Sequence, residues 1–168
     1  MRGQQTVATD RVSSWSAPAW WRQTARTNST LRSIRGVDWG SFSDVTIRRF
    51  TNEPFIVSPD SDRMGVRLDG PELKRIDDTD LISEGVAPGT IQVPPDGKPI
   101  LLLGDCQTIG GYPKIAHVIT ADLGVAAQMR AGDTVRFREV SLPEAHRLLL
   151  ERERELELFR VGINFQFP

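Results

Sequence analysis

From Leu31 onward the apolar side chains recur in short alternating or continuous runs cut by turn residues, the pattern of strands rather than of long helices. Residues 31–35 alternate and then meet Gly36. Residues 55–58 and 65–68 follow, the second ending at Asp69-Gly70-Pro71. Further strands are expected at 90–93, 100–103, 115–120 and 134–140, making seven in all. Short strands broken by turns predict a mainly β chain, a sandwich or barrel rather than a doubly wound sheet.

Three stretches carry the helical period instead. Ser43 and Asp44 open a short helix over 45–50 that ends before Pro54, and a second, over 121–129, follows Thr120. The third, 143–160, begins with Ser141-Leu142-Pro143-Glu144. In that capping box the Ser oxygen accepts an orphan amide hydrogen while Glu144 reaches back. Leu142, Ala145, Leu149, Leu156 and Phe159 share one side, and charges alternate from Glu151 to Glu155. This predicts a helix docked on the sheet with a solvated outer face; a partner-binding coiled coil is the rival reading.

Residues 1–30 have no such period. They are rich in Ser, Thr and Arg, hold Trp15, Trp20 and Trp21, and carry a single acid, Asp10. A disordered or non-native leader is expected, mobile because it cannot bury enough apolar area, with an organellar transit peptide as the rival. The folded unit is then expected to span 31–168 as one domain.

Composition removes several functions. With 21 basic and 22 acidic residues the net charge is −1, so bulk charge does not drive nucleic-acid binding. The longest wholly apolar run is 100–103, far short of the ~20 residues that cross a bilayer as a helix. Cys106 stands alone, which excludes an internal disulfide and leaves no Cys/His set for structural zinc; a reducing cytoplasm is the expected setting.

Chemistry concentrates between Ser83 and Asp133, where Gly and Pro bend the backbone repeatedly. After the apolar run 100–103 comes Asp105-Cys106-Gln107-Thr108-Ile109-Gly110-Gly111-Tyr112-Pro113-Lys114. Adjacent glycines let a backbone approach a ligand, and the polar residues around them supply donors and acceptors. An ordinary β connection has the same features. The spacing of a phosphate-binding loop is absent.

Several motifs in one order carry a resemblance over residues 31–140. They are Ser58-Pro59-Asp60-Ser61-Asp62-Arg63-Met64-Gly65, Ser83-Glu84-Gly85, the run Pro88-Gly89-Thr90-Ile91-Gln92-Val93-Pro94, Asp105-x-Gln107-Thr108-x-Gly110-Gly111-Tyr112-Pro113, and Ala121-Asp122-Leu123. Together they closely resemble the biotin-dependent carboxyltransferase family, which contains the C subunit of 5-oxoprolinase, KipA and the second allophanate hydrolase subunit. The resemblance implies a cyclophilin-like β-barrel with short helices and a C-terminal helix. It also implies an accessory subunit of an ATP-dependent 5-oxoprolinase or biotin-dependent carboxyltransferase-like complex acting on a small amide-like substrate. The implied partners are a KipI-like protein, equivalent to the B subunit of 5-oxoprolinase, and a third subunit. No cofactor is expected on this chain itself; ATP or carboxybiotin would reach the chemistry through those partners. A KipA-type regulator capturing a KipI-like kinase inhibitor, or a truncated inactive fragment, are the alternatives.

Members of that family are nearly twice this long, so strand edges or core side chains are expected to be uncovered and the isolated chain to associate. Ile109 stands where a second Thr is common, and Val66 where Tyr is common.

The expected site residues follow. Glu84 is a candidate general base and Lys114 a candidate for neutralising an oxyanion or the biotin ureido oxygen. Arg63, Gln107, Thr108, Gly110, Gly111 and Tyr112 are candidates for binding substrate. Each has a plain structural use as well. Arg63 can pair with Asp60 or Asp62, Glu84 can hold a turn, Asp105 can close the turn after its strand, and Lys114 can lie in solvent. Cys106 reads as an inert thiol, since neither His117 nor His146 has a visible acidic partner. Replacing Gln107 or Lys114 by Ala is expected to slow turnover without loss of stability.

Overall fold

The computed structural model describes residues 27–77 and 81–166. Most of the predicted leader therefore lies outside the described residues. What is described of it, from Thr27, leads directly into a strand.

That strand, β1 (Asn28–Arg35), begins three residues before the expected boundary. It is followed by α1 (Asp44–Asn52), β2 (Phe55–Val57), β3 (Gly65–Asp69), β4 (Glu84–Gly85), β5 (Thr90–Gln92), β6 (Ile100–Leu102), β7 (Ile109–Gly110), β8 (Lys114–Val118), α2 (Leu123–Ala126), β9 (Thr134–Glu139) and α3 (Leu142–Gln166). Seven strands close a barrel in the order β1-β8-β5-β6-β3-β2-β9, while β4 and β7 form a separate two-stranded flap. Closure is by a parallel pair, Asn28 opposite Thr134 through Ser33 opposite Glu139. The expected mainly β barrel with short helices and a C-terminal helix is what the chain forms. Among the described residues the closed barrel leaves none of its seven strands with an open edge, so the uncovered edges expected from the resemblance are not found in the barrel.

Alternation fills the barrel. Leu31, Phe55, Val57, Leu68, Ile91, Leu101, Val118, Val135 and Phe137 are each at most 2% exposed. One end is plugged by α1, whose Phe50 stacks on Phe137 at 4.8 Å between ring centres and meets Trp39 edge-on at 6.3 Å. The helix starts where Ser43 Oγ accepts the amide of Thr46, as its sequence predicts.

The outer face of β1 meets α3 through a smaller cluster of Ile119, Ala121, Val140 and Ala145, with Ile34 and Leu148 against it. Beside it, the carboxylate of Asp122 accepts the amide of Arg32 at 2.8 Å and its Nε at 2.9 Å, and also pairs with the guanidinium terminus. Asp122 raises the pKa of Arg32 against the opposing effect of burial. The start of α3 matches the capping expectation only in part. Ser141 Oγ accepts the amide of Glu144, but the Glu144 carboxylate turns to Arg138 at 3.5 Å. At 25 residues α3 also runs past its predicted end at residue 160, while the helix expected over 121–129 shrinks to a 3-10 turn, Thr120–Asp122, and the single turn of α2.

Candidate functional site

The centre of interest lies on the outside of the barrel, where β5 and β8 meet beneath the flap. Across that pair the register runs Thr90 to His117 and Ile91 to Ala116, then slips so that Gln92 faces Lys114. The slip is a β-bulge. It lets Ile115 and Ala116 both enter the core, at 0% and 1% exposure, and turns Lys114 outward beside Gln92. Neither polar side chain reaches open water, because the flap covers both: Gln92 is 1% exposed and Lys114 6%.

Two elements hold Lys114. On one side Glu84, opposite Gly110 in the flap, places its Oε2 at 3.2 Å from Lys114 Nζ. On the other, Asp38 brings Oδ2 to 3.6 Å from Nζ and accepts the Lys114 backbone amide at 2.8 Å with the same oxygen. The loop bearing Asp38 is bound to β8 by bonds from Gly36 N to Ile115 O and from Asp38 N to Lys114 O. Gln92 sends Nε2 toward the Tyr112 carbonyl at 3.4 Å. A Cβ on Gly110 would lie 2.4 Å from that same nitrogen, so a glycine is what allows the flap to sit on the glutamine.

Of the residues proposed from sequence, Glu84, Gly110, Gly111, Tyr112 and Lys114 are thus brought together. Gly111 approaches Ser83, where an added Cβ would be 3.1 Å from its Oγ. Thr108 contributes through its backbone, its carbonyl accepting the amide of Val86 at 3.0 Å, and Gln107 lies exposed on the loop before the flap. Arg63 is not part of this cluster. Its guanidinium, 92% exposed, pairs with Asp105 at 3.7 Å rather than with Asp60 or Asp62. Asp62 instead accepts the amides of Met64 and Gly65. Arg63 lines an open depression of about 350 Å3 with Ser58, Asp62 and Met129, which neither Glu84 nor Lys114 lines.

Two plain readings are corrected. Lys114 is not a solvated surface lysine, since the bulge and the flap enclose it. Glu84 does not hold a turn through backbone amides, because β4 pairs with β7 and leaves its carboxylate for the lysine. The expectation that a Lys114 substitution spares stability falls with the first: emptying that position leaves Asp38 and Glu84 facing each other without their cation.

Sequence reasoning missed Asp38 and Gln92 as members of the cluster. A glutamine between Ile91 and Val93 in a buried run was a usable signal, for a polar residue there needs a partner. Nothing local marks Asp38.

The cluster pairs a sheltered ammonium with a carboxylate whose side chain is 60% exposed, so solvent or a ligand reaches the pair from the Glu84 side. Such a pair can set positive charge against an amide oxygen and accept a proton close by. Cys106, half-buried before the flap, remains without an assigned role.

A neighbouring position on the same outer face gives a pH signature. His117 Nδ1 lies 3.3 Å from Thr90 Oγ1, and burial lowers the imidazole pKa below its ordinary 6.5. The folded state then resists the proton that the unfolded chain accepts. Its contribution is fully present above the ordinary value and is lost as pH falls below it. Melting followed from pH 7 downward is expected to show a shallower acid fall for His117→Gln than for the native chain. Equal slopes would mean the imidazole is not linked to folding.

A family model described as carboxyltransferase domain, subdomain A and B, matches residues 2–139 and so includes residues read as a leader. The proteins named as the C subunit of 5-oxoprolinase in Haemophilus influenzae and Escherichia coli are 39% and 40% identical, over 77% and 76% of this chain. The chain spans about two-fifths of their length, 42% and 41% respectively. In structure it is similar to part of the Kluyveromyces lactis urea amidolyase, with a TM-score of 0.76 and 24% identity over 81% of this chain and 9% of that one.

Proposed function

The chain belongs to the carboxyltransferase family, subdomain A and B, and from that premise we propose that it serves as an accessory subunit of a 5-oxoprolinase-type assembly. In this reading it presents the flap cluster to a small amide-like substrate such as 5-oxoproline. The observation that supports it most is the placement of Lys114, enclosed beneath a glycine-containing flap with one acidic partner half-buried and the other open to solvent. Lys114 sets positive charge toward the oxygen of the N–C=O group, and Glu84 stands where a proton can be taken or returned. The loop 107–112 supplies further polar contacts around the substrate, whereas Arg63 lines its own depression apart from the cluster and is given no contact with it.

The flap is a poor seat for a nucleotide. Gly110 is paired with Glu84 across the flap, and even a Cβ at Gly110 would meet Gln92 Nε2 at 2.4 Å, so little space is left there for a phosphate. ATP or carboxybiotin is therefore assigned to the partners, a KipI-like protein of the 5-oxoprolinase B type and a third chain. Among the described residues no helix is long and apolar enough to cross a membrane.

The test is coexpression with a KipI-like partner and a third subunit, followed by measurement of ATP-dependent conversion of 5-oxoproline to glutamate. Turnover dependent on this chain supports the proposal. A tight complex without turnover would replace it with a KipA-type regulatory role, and carboxylation of urea in place of 5-oxoproline cleavage would move it to the carboxyltransferase branch.

A further inference from the structure

The helix α3 follows the last residue that the family model matches. Its first turns pack on the barrel through Ala145 and Leu148. Leu150, Leu158 and Val161 then stand 60%, 74% and 42% exposed, although all three are apolar. Positions 150, 154, 157 and 161 follow one another at spacings of four, three and four, so they form a single row, with Leu158 at its flank. At ~100° per residue this row lies about half a turn from Leu148, on the side of the helix facing away from its own barrel.

Charge decides what the row fits. Along α3, Arg147 pairs with Glu151, Arg152 with Glu155 and Arg160 with Glu157. Arg154, exposed in the middle of the row, has no ion-pair partner among the described residues. An identical row laid alongside in parallel would set Arg154 against Arg154 and Glu157 against Glu157. Laid antiparallel, one register sets Arg154 opposite Glu157 of the second copy and Leu150 opposite Val161 of the second copy. The two-fold axis repeats both pairs, which is the self-complementarity an isologous contact requires.

We propose that the distal half of α3 is a homodimer surface, on which a second copy of this chain packs antiparallel through Leu150, Arg154, Glu157, Leu158 and Val161. The contact is modest in area and concentration-dependent, and its orientation is fixed by the two Arg154–Glu157 pairs. It is independent of the flap cluster, which lies on the β5 and β8 face.

Sedimentation of the full chain over a concentration series tests it. The native chain is expected to dimerise. Arg154→Glu and Glu157→Arg, each placing like charges in opposition, are expected to raise the dissociation constant at least about tenfold. The double variant, in which the pairs are re-formed with signs exchanged, is expected to return it to near the native value. Melting of each variant as a monomer shows that the fold is kept. A chain that stays monomeric at all concentrations overturns the proposal, as does a dimer indifferent to both single substitutions or one broken instead by Ile109→Asp in the flap. A monomer that dimerises only once residues 1–26 are removed overturns it too, since the row would then be covered by that segment of the same chain.

Discussion

If the proposed function holds, replacing Lys114 with Met in the reconstituted assembly is expected to cut turnover by ~10²–10³, the loss that follows removal of one group aimed at developing negative charge. Methionine keeps the unbranched stem and removes only the ammonium. Asp38 can still accept the backbone amide at this position, so the loop that carries it keeps one tie to β8. The melting temperature is nevertheless expected to fall, because two carboxylates are left without their shared cation, Glu84 less affected than Asp38 since its side chain is 60% exposed and Asp38's 18%. Gln107→Ala is the reference. Gln107 lies exposed on the loop before the flap, so turnover changes there report contact with substrate, and stability should stay within about 0.5 kcal/mol. Full activity in Lys114→Met, with the partner chains present and saturating substrate, would remove the lysine from the chemistry. Reduced activity that returns when the protein is assayed well below its melting temperature would assign it to the fold alone.

Gly36→Ala is expected to be the most damaging glycine-to-alanine change among the described residues. A Cβ there would lie 2.1 Å from the Lys114 carbonyl oxygen, 2.7 Å from its carbon and 2.8 Å from the Ile115 carbonyl carbon. All three are backbone atoms, so no side chain can swing away and β1 must separate from β8. A loss above ~3 kcal/mol is expected, beyond the usual range for overpacking. At ~2–4 °C per kcal/mol for a chain of this size, that lowers the melting temperature by roughly 6–12 °C. Gly40→Ala is the control, with nothing within 4 Å of its Cβ. If the two variants melt together, the β1–β8 contact is looser than described.

The barrel strands were legible because each carries its own signal. Phe55, Val57, Leu68, Leu101, Val135 and Phe137 alternate with polar residues or fill continuous runs, and both patterns follow from the two-residue period of a strand. The flap was not legible, since two-residue strands such as Glu84–Gly85 and Ile109–Gly110 span a single period and cannot show an alternation. The same gap hid the enclosure of Lys114. A lysine ahead of an apolar run reads as the exposed end of a strand, and its burial depends on a bulge at Ile115 and on a flap formed by residues distant in sequence. Glu84 and Lys114 were therefore found separately, through resemblance and residue type, while their contact and the role of Asp38 belong to tertiary structure.

The parallel pairing of β1 with β9 also fixes the order in which the chain can be completed. A nascent chain that has emerged through β8 can already form the antiparallel ladder joining β2, β3, β6, β5, β8 and β1. It remains an open, curved sheet whose two free edges are β1 and β2, because β9 pairs with both. Only when residues 134–139 arrive do those edges disappear, and loop closure of that length makes the last step the slow one. The interval before it is when the chain is most exposed to aggregation and to chaperone capture, so synthesis paused just before Thr134 should yield far more misfolded protein than synthesis paused after Glu139.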